Sequence, residues 1–276
     1  TAPPREAPRV GTIGTGCSYE LDTWSGTLTI YPTDGASGEM ARVRDALSDD
    51  GDLLDVIRSV TVKEGVVAPA DSSYLFGSLH AMESLDLSGL DTSRTTDMRG
   101  MFQSCASLRS LDLSGLDTSR VTDMEDMFSI CLSISFLDLS PLDTSRVTDM
   151  GGMFWGCSSL ASVELPASVT SIDDTTFEGC DALTISCPRG SFAYSWAMEH
   201  GIGVAASDGT HALLDPAACS YSARRLDDGL VELTVRWGLA DPSAVASAVT
   251  LRVPDRTEVR AMSVCGDEAP GWSLVG

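Results

Sequence analysis

The sequence predicts an α/β solenoid, a stack of near-identical coils with parallel strands on a concave side and short helices on a convex side. Three observations predict it. The segment "LDLSGLDTSRVTDMEDMF" at residues 111–128 recurs as "LDLSGLDTSRTTDMRGMF" from Leu85 and as "LDLSPLDTSRVTDMGGMF" from Leu137, a period of 26 residues. Fixed periods of this length mark arrays in which each unit buries its apolar face against the next. One apolar column, Ile57, Met82, Leu108, Ile134, Leu160 and Leu183, extends the pattern to about six coils. Within each unit, apolar residues first alternate and then fall at helical spacing, which reads as strand, turn, helix.

Taken in chain order, residues 1–16, "TAPPREAPRVGTIGTG", are rich in Pro, Ala and Thr and read as a linker. "CSYELDTWSGTLTIYP" reads as a hairpin turning between Asp22 and Gly26. "GEMARVRDALSDD" reads as a helix that ends at Gly51. Residues 17–56 would then form an N-terminal cap over the open end of the first coil.

In the array, residues 57–205, Leu111 and Leu113 should point inward while Asp112 and Ser114 point outward. "GLDTS" supplies turn chemistry. Met124, Met127, Phe128 and Cys131 stand at i, i+3, i+4 and i+7, one face of a helix. The same spacing holds for Met98, Met101, Phe102 and Cys105, and for Met150, Met153, Phe154 and Cys157. Weaker copies are Leu75, Phe76 and Leu79 before them, and Phe177 and Cys180 after. Thr122 with Glu125 fits a capping box. Strands stack at about 4.8 Å and helices at about 8–10 Å, so the array should curve with its sheet inside.

After residue 205 the period stops. "GLVELTVRW" and "SAVTLRVPDRTEVRAMSV" alternate as strands, so residues 206–276 should form a small β-sandwich-like domain, with room for only about four strands. In an oxidising compartment Cys219 and Cys265 can staple it, Cys180 with Cys187 being a weaker pairing.

Composition narrows function. Forty acidic against eighteen basic residues give a formal charge of −22, which repels nucleic acid and anionic membranes. No apolar run reaches the roughly 18 residues of a membrane span, and no leader opens the chain, which reads as a mature fragment of an exported protein. Lys63 is the single lysine, and the absence of asparagine excludes N-linked glycosylation.

His80, His200 and His211 are scattered without metal-ligand spacing, and there is neither a phosphate loop nor a nucleophile elbow, so no enzyme is expected. Cys105, Cys131, Cys157 and Cys180, on neighbouring helices, should form a ladder of buried free thiols with Met101, Met127, Met153, Phe102, Phe128 and Phe154. A helix diameter between them exceeds the roughly 7 Å reach of a disulfide, and a ladder cannot converge on a metal.

One constellation can recognise a ligand. Asp86, Asp112, Asp138 and Glu164 fall in one outward strand column, with Ser88, Ser114 and Ser140 two residues further on. The column is either a solvated acidic face or a stripe for a cationic partner or Ca²⁺. Without dedicated calcium loops no metal site is expected, and Ca²⁺ remains a weak cofactor reading. Arg94, Arg120 and Arg146 form a second column, three residues after Asp91, Asp117 and Asp143; pairing within that turn and a stripe for an acidic ligand are its two readings.

The unit "LDLSxLDTSxVTDMxxMFxxC" resembles the BspA-like leucine-rich repeats of bacterial surface proteins, a type also seen in mycoplasma-type surface lipoproteins. "LPASVTSIDDTTFEGC" resembles their companion repeat and "GSFAYSWAMEHGI" their closing helix, so the likeness covers residues 57–205. Where the family has Asn this chain has Arg94, Arg120 and Arg146. The resemblance implies a secreted or surface-anchored bacterial protein using a leucine-rich repeat array for protein recognition or adhesion, sometimes to host matrix proteins, and no catalytic residues. A rigid spacer presenting another domain is the alternative, and a carbohydrate-binding module a lesser one, since aromatics make up only 6% of the chain. An exposed aromatic patch would favour recognition, and Trp155 is the candidate for it.

Overall fold

A computed structural model of the chain describes residues 7–47, 53–207, 220–225, 230–237 and 247–254, the last three segments as backbone strands. The chain divides into two units, Thr1–Val204 and Ala205–Gly276.

The first unit opens with three antiparallel strands, β1 (Arg9–Thr12), β2 (Cys17–Asp22) and β3 (Thr27–Pro32). The linker expected over residues 1–16 is therefore corrected from Arg9 onward. Gly11 lets the Tyr19 ring lie across β1, where a Cβ would come within 2.7 Å of it, and Ile13 enters the core at 1% exposure. The expected turn between β2 and β3 is held by Asp22, whose Oδ1 accepts the Trp24 amide at 3.0 Å.

After β4 (Gly38–Glu39), the helix predicted across "GEMARVRDALSDD" contracts, among the described residues of that segment, to α1 (Val43–Ala46). Its first amide, Val43 N–H, donates to the Leu75 carbonyl, so the first repeat and not a side-chain cap sets where it starts.

From here pairing becomes parallel. β5 (Ser59–Val62), β6 (Val66–Val67), β7 (Ser84–Asp86), β8 (Leu90–Asp91), β9 (Phe136–Asp138), β10 (Ser162–Glu164) and β11 (Thr184–Cys187) precede α2 (Phe192–Glu199) and β12 (Gly203–Ala206). They form a sheet ordered β1-β2-β3-β5-β7, another ordered β12-β11-β10-β9 and a narrow one ordered β4-β6-β8. Register follows the repeat, placing Val60 beside Leu85 and Val163 between Leu137 and Ile185. These apolar columns are buried, as is the column from Ile57 to Leu183.

The helices expected opposite the sheet are absent: among the described residues only α1 and α2 are α-helical. Their place is taken by turns stacked repeat on repeat. Alternate amides leave the repeat, with Met98, Gly100, Phe102 and Ser104 donating to the carbonyls of Asp123, Glu125, Met127 and Ser129. The amides between them close tight turns, Met101 to Met98 and Cys105 to Phe102. An α-helix spends every amide within itself, so a backbone that bonds every second amide to its neighbour cannot be one. Left-handed residues at fixed positions reverse the chain: Gly100 and Ser104, Asp126 and Ile130, Gly152 and Gly156 all have φ between 56° and 70°. The capping box also fails, because the Glu125 amide donates to Asp123 Oδ1 at 2.9 Å and the Thr122 hydroxyl to the Thr96 carbonyl.

With no helices to space them, the turns sit at sheet-like distances, and the premise for curvature is removed. Phe76, Phe102, Phe128, Phe154 and Phe177 stack face to face with ring centroids 5.3 to 5.9 Å apart. Such stacking contributes about 0.5–1.5 kcal/mol per pair beyond area burial. Trp196 of α2 tilts onto Phe177 and ends the column. Ser191 starts α2 by accepting the Tyr194 amide at 3.2 Å.

In the second unit β13 (Ser220–Arg225), β14 (Leu230–Trp237) and β15 (Ser247–Pro254) form an antiparallel sheet. Cys219 and Cys265 lie outside the described residues.

Candidate functional site

The strand-face carboxylates are the side chains that the sequence singles out for recognition. Asp138 and Glu164 stand side by side, and Asp86 faces Thr61. Asp112 is joined to neither neighbour, since residues 110–113 form no strand, so the four do not make one continuous row. Each aspartate is also engaged locally: Asp86, Asp112 and Asp138 accept the amides of Ser88, Ser114 and Ser140 at 2.8 to 3.0 Å. These hydrogen bonds hold the Asp86 and Asp112 carboxyls below the ordinary aspartate range.

The same device recurs twice more in each of the three close copies. Asp91, Asp117 and Asp143 accept the amides of Ser93, Ser119 and Ser145, and Asp97, Asp123 and Asp149 accept those of Arg99, Glu125 and Gly151. Each closes a turn through an amide two residues on. Acidity is thus woven into the repeat's turns, and a carboxylate in a repeated column is first of all a turn former.

The second basic column divides. Arg94 pairs with Glu39 at 3.5 Å and also acts on Asp91 across its own turn, as Arg146 does on Asp143, while Arg120 and Arg146 are exposed. The histidines serve structure, His80 Nδ1 lying 2.8 Å from the Ser104 carbonyl and His200 stacking on Trp196. His211 lies outside the described residues.

Cys105, Cys131, Cys157 and Cys180 are buried free thiols, but the expected reason is corrected: no helix diameter separates them. Each of Cys105, Cys131, Cys157 and Cys180 directs its Sγ to the carbonyl of a Phe in the preceding repeat, at 3.0 to 3.3 Å. Burial pushes Cys105 and Cys157 up to about 12 and Cys180 to about 11, and raises Cys131 further. Thiolate is the reactive form, so these sulfurs are inert filler. Among the described residues no three His, Cys, Asp or Glu side chains are grouped to hold a metal.

A different constellation emerges on the turn face. The third copy reads "DMGGMF" where the others read "DMRGMF" and "DMEDMF", and the missing side chains of Gly151 and Gly152 leave a groove of about 380 Å³. Trp155, 44% exposed, forms one wall. Glu125, Asp126 and Asp149 line one part, Asp173, Thr175 and Glu178 another. A Cβ on Gly152 would meet Asp126 Oδ1 at 2.5 Å, and Gly152 N–H donates to Thr175 Oγ1 at 3.0 Å.

Burial, together with neighbouring carboxylates that include Asp149, raises both Glu125 and Asp126 above their ordinary range, although Arg99 opposes the shift. Arg99 bridges Asp123 at 3.3 Å and also contacts Glu125. The groove therefore joins an apolar ring to five carboxylates, of which Arg99 pairs with Glu125, and this excess of negative charge suits a cationic side chain. Sequence reasoning named Trp155 but missed the carboxylates around it; the readable signal was the one repeat carrying two adjacent glycines.

Residues 70–183 match the model of a family described as Mycoplasma protein of unknown function, DUF285. Among solved structures, the chain is similar to a leucine rich cell surface protein from Faecalibacterium prausnitzii A2-165, at 20% identity and a TM-score of 0.29, over 66% of this chain and 40% of that one. The chain thus spans well under half of that protein. None of the curated proteins matches. No helix among the described residues is long and apolar enough to cross a membrane.

Proposed function

We propose that the chain is a non-catalytic protein of the bacterial cell surface or exterior, and that its stacked units form a leucine-rich repeat solenoid which recognises another protein. The observation that carries this reading is the groove at Gly151 and Gly152, where Trp155 stands exposed beside five carboxylates. A spacer has no use for an exposed aromatic ring in a charged recess, whereas tryptophan beside a concavity is the usual anchor of a protein interface. The acidic lining and the net charge of −22 favour a partner segment bearing Arg or Lys, and would speed its approach. The non-catalytic part rests on how reactive groups are used: thiols as core, aspartates as turn formers, His80 against the Ser104 carbonyl and His200 against that of Trp196.

The test is binding of the full chain to immobilised extracellular matrix proteins and mucins, at low and high salt. Trp155→Ala and the pair Glu125→Gln with Asp149→Asn are measured beside a strand-face triple, Asp86→Asn, Asp112→Asn and Asp138→Asn. Salt-sensitive binding that falls at least tenfold in both groove variants and persists in the triple supports the groove. Loss in the triple alone moves recognition to the strand face, and absence of saturable binding supports the spacer.

A further inference from the structure

The repeats are tied together unequally on their two sides. On the turn face, Met98, Gly100, Phe102 and Ser104 bond to the next repeat, and Met124, Asp126, Phe128 and Ile130 to the one after. On the strand face, β7 is bonded to β5 and β9 to β10, yet residues 109–114 share no backbone hydrogen bond with the strands on either side. Leu111 is correspondingly half-buried, where its counterparts Leu85 and Leu137 are 9% and 1% exposed.

Local preference cannot explain the gap. The pentapeptide "LDLSG" occurs at 85–89 and again at 111–115; the first copy supplies β7 and the second forms no strand. What differs is the column each would join. Asp86 stands against Thr61, and Asp138 accepts one acidic neighbour, Glu164. A fully paired face would put Asp112 about 4.8 Å from Asp86 on one side and from Asp138 on the other. Like charges directly across a ladder destabilise it; among the described residues no salt bridge reaches any of the three, and although Asp86 also feels the charge of Lys63, Asp112 would stand between two carboxylates. Parting the face on both sides of Asp112 removes two of the three carboxylate adjacencies between Asp86 and Glu164.

We propose that residues 109–114 are an electrostatic seam: the strand face is held open there by repulsion among Asp86, Asp112 and Asp138 while the turn face stays shut, and neutralising Asp112 or screening the charge zips it closed. The seam gives the stack one site of local opening that cations in the medium can govern. It does not depend on the groove at Trp155.

Hydrogen–deuterium exchange on the full chain tests it, comparing peptides covering 109–114 with those covering 135–139 and 161–165. In low salt the first should exchange about tenfold faster than the other two, since open backbone exchanges without unfolding. Asp112→Asn keeps the oxygen that accepts the Ser114 amide and removes only the charge, so exchange at 109–114 should slow about tenfold, while Asp143→Asn, in another column, should leave it unchanged. Raising the salt on the wild-type chain should slow it likewise, which covers failure of the variant to fold. Equal protection of the three peptides in the wild-type chain would overturn the seam. Fast exchange that ignores both the Asn substitution and salt would overturn its electrostatic cause.

Discussion

At the scale of single residues, the stack turns a few side chains into columns, and a residue's worth depends on how many neighbours its column supplies. Phe128 lies between Phe102 and Phe154, whereas Phe76 has only Phe102 on its stacking face. Both are fully buried. Phe128→Ala should therefore cost about 3–5 kcal/mol from burial and cavity terms. Phe76→Ala should cost less by roughly one stacking pair, about 0.5–1.5 kcal/mol. Urea unfolding of the two variants checks this, and equal losses would mean the stacked rings act as independent core residues.

At the scale of elements, the repeat was legible and its secondary structure was only half so. The period, the strand half and the buried columns follow directly from the alternation of Leu85 to Leu87 and from the spacing of Met124, Met127, Phe128 and Cys131. That spacing predicts a helix because two successive tight turns bury residues three and four apart just as a helix does. The sequence carried a counter-signal in Gly100, Gly152, Gly156 and Gly179, since glycine is a poor helix residue and a good left-handed one. What no single repeat can reveal is the backbone bonding between repeats, which decides for turns over helix, and the groove, which exists only where Gly151 and Gly152 fall between bulkier copies. The glycine argument is open to test at one column. A Cβ on Gly156 meets nothing closer than Ile130 Cγ1 at 3.9 Å, so Gly156→Ala isolates the cost of its φ of 70°. The loss should be about 1–2 kcal/mol. Ser104, in the same column at φ 60°, should gain stability when changed to Gly, by up to about 1 kcal/mol. Thermal melts of the pair decide it, because a helix at this position would reverse both signs.

At the scale of the whole molecule, the acidity that looked like a binding property is largely a folding property, and its pH dependence follows. Asp71, Asp86, Asp91, Asp112, Asp117, Asp143 and Asp173 are held below their ordinary range, chiefly by hydrogen bonds from the residue two places on. A carboxyl whose folded value is depressed stabilises the fold above its unfolded value, and that contribution is lost as pH falls through the folded value. Glu125 and Asp126 are shifted upward, so their ionisation costs stability near neutrality and the cost disappears first on acidification. Relief of the −22 formal charge acts in the same direction over that range. The melting temperature should accordingly hold or rise from pH 7 to about 5, then fall steeply below about pH 4 as the turn-forming aspartates protonate. Changing Asp91, Asp117 and Asp143 together to Ala should lower the neutral melting temperature and flatten the acid limb, while changing them to Asn, which keeps the accepting oxygen, should flatten the limb with a smaller loss at neutrality. Calorimetry at pH 7, 5 and 3 on the three proteins separates charge from hydrogen bonding: a limb unchanged in both variants would place the acid sensitivity outside the turn column.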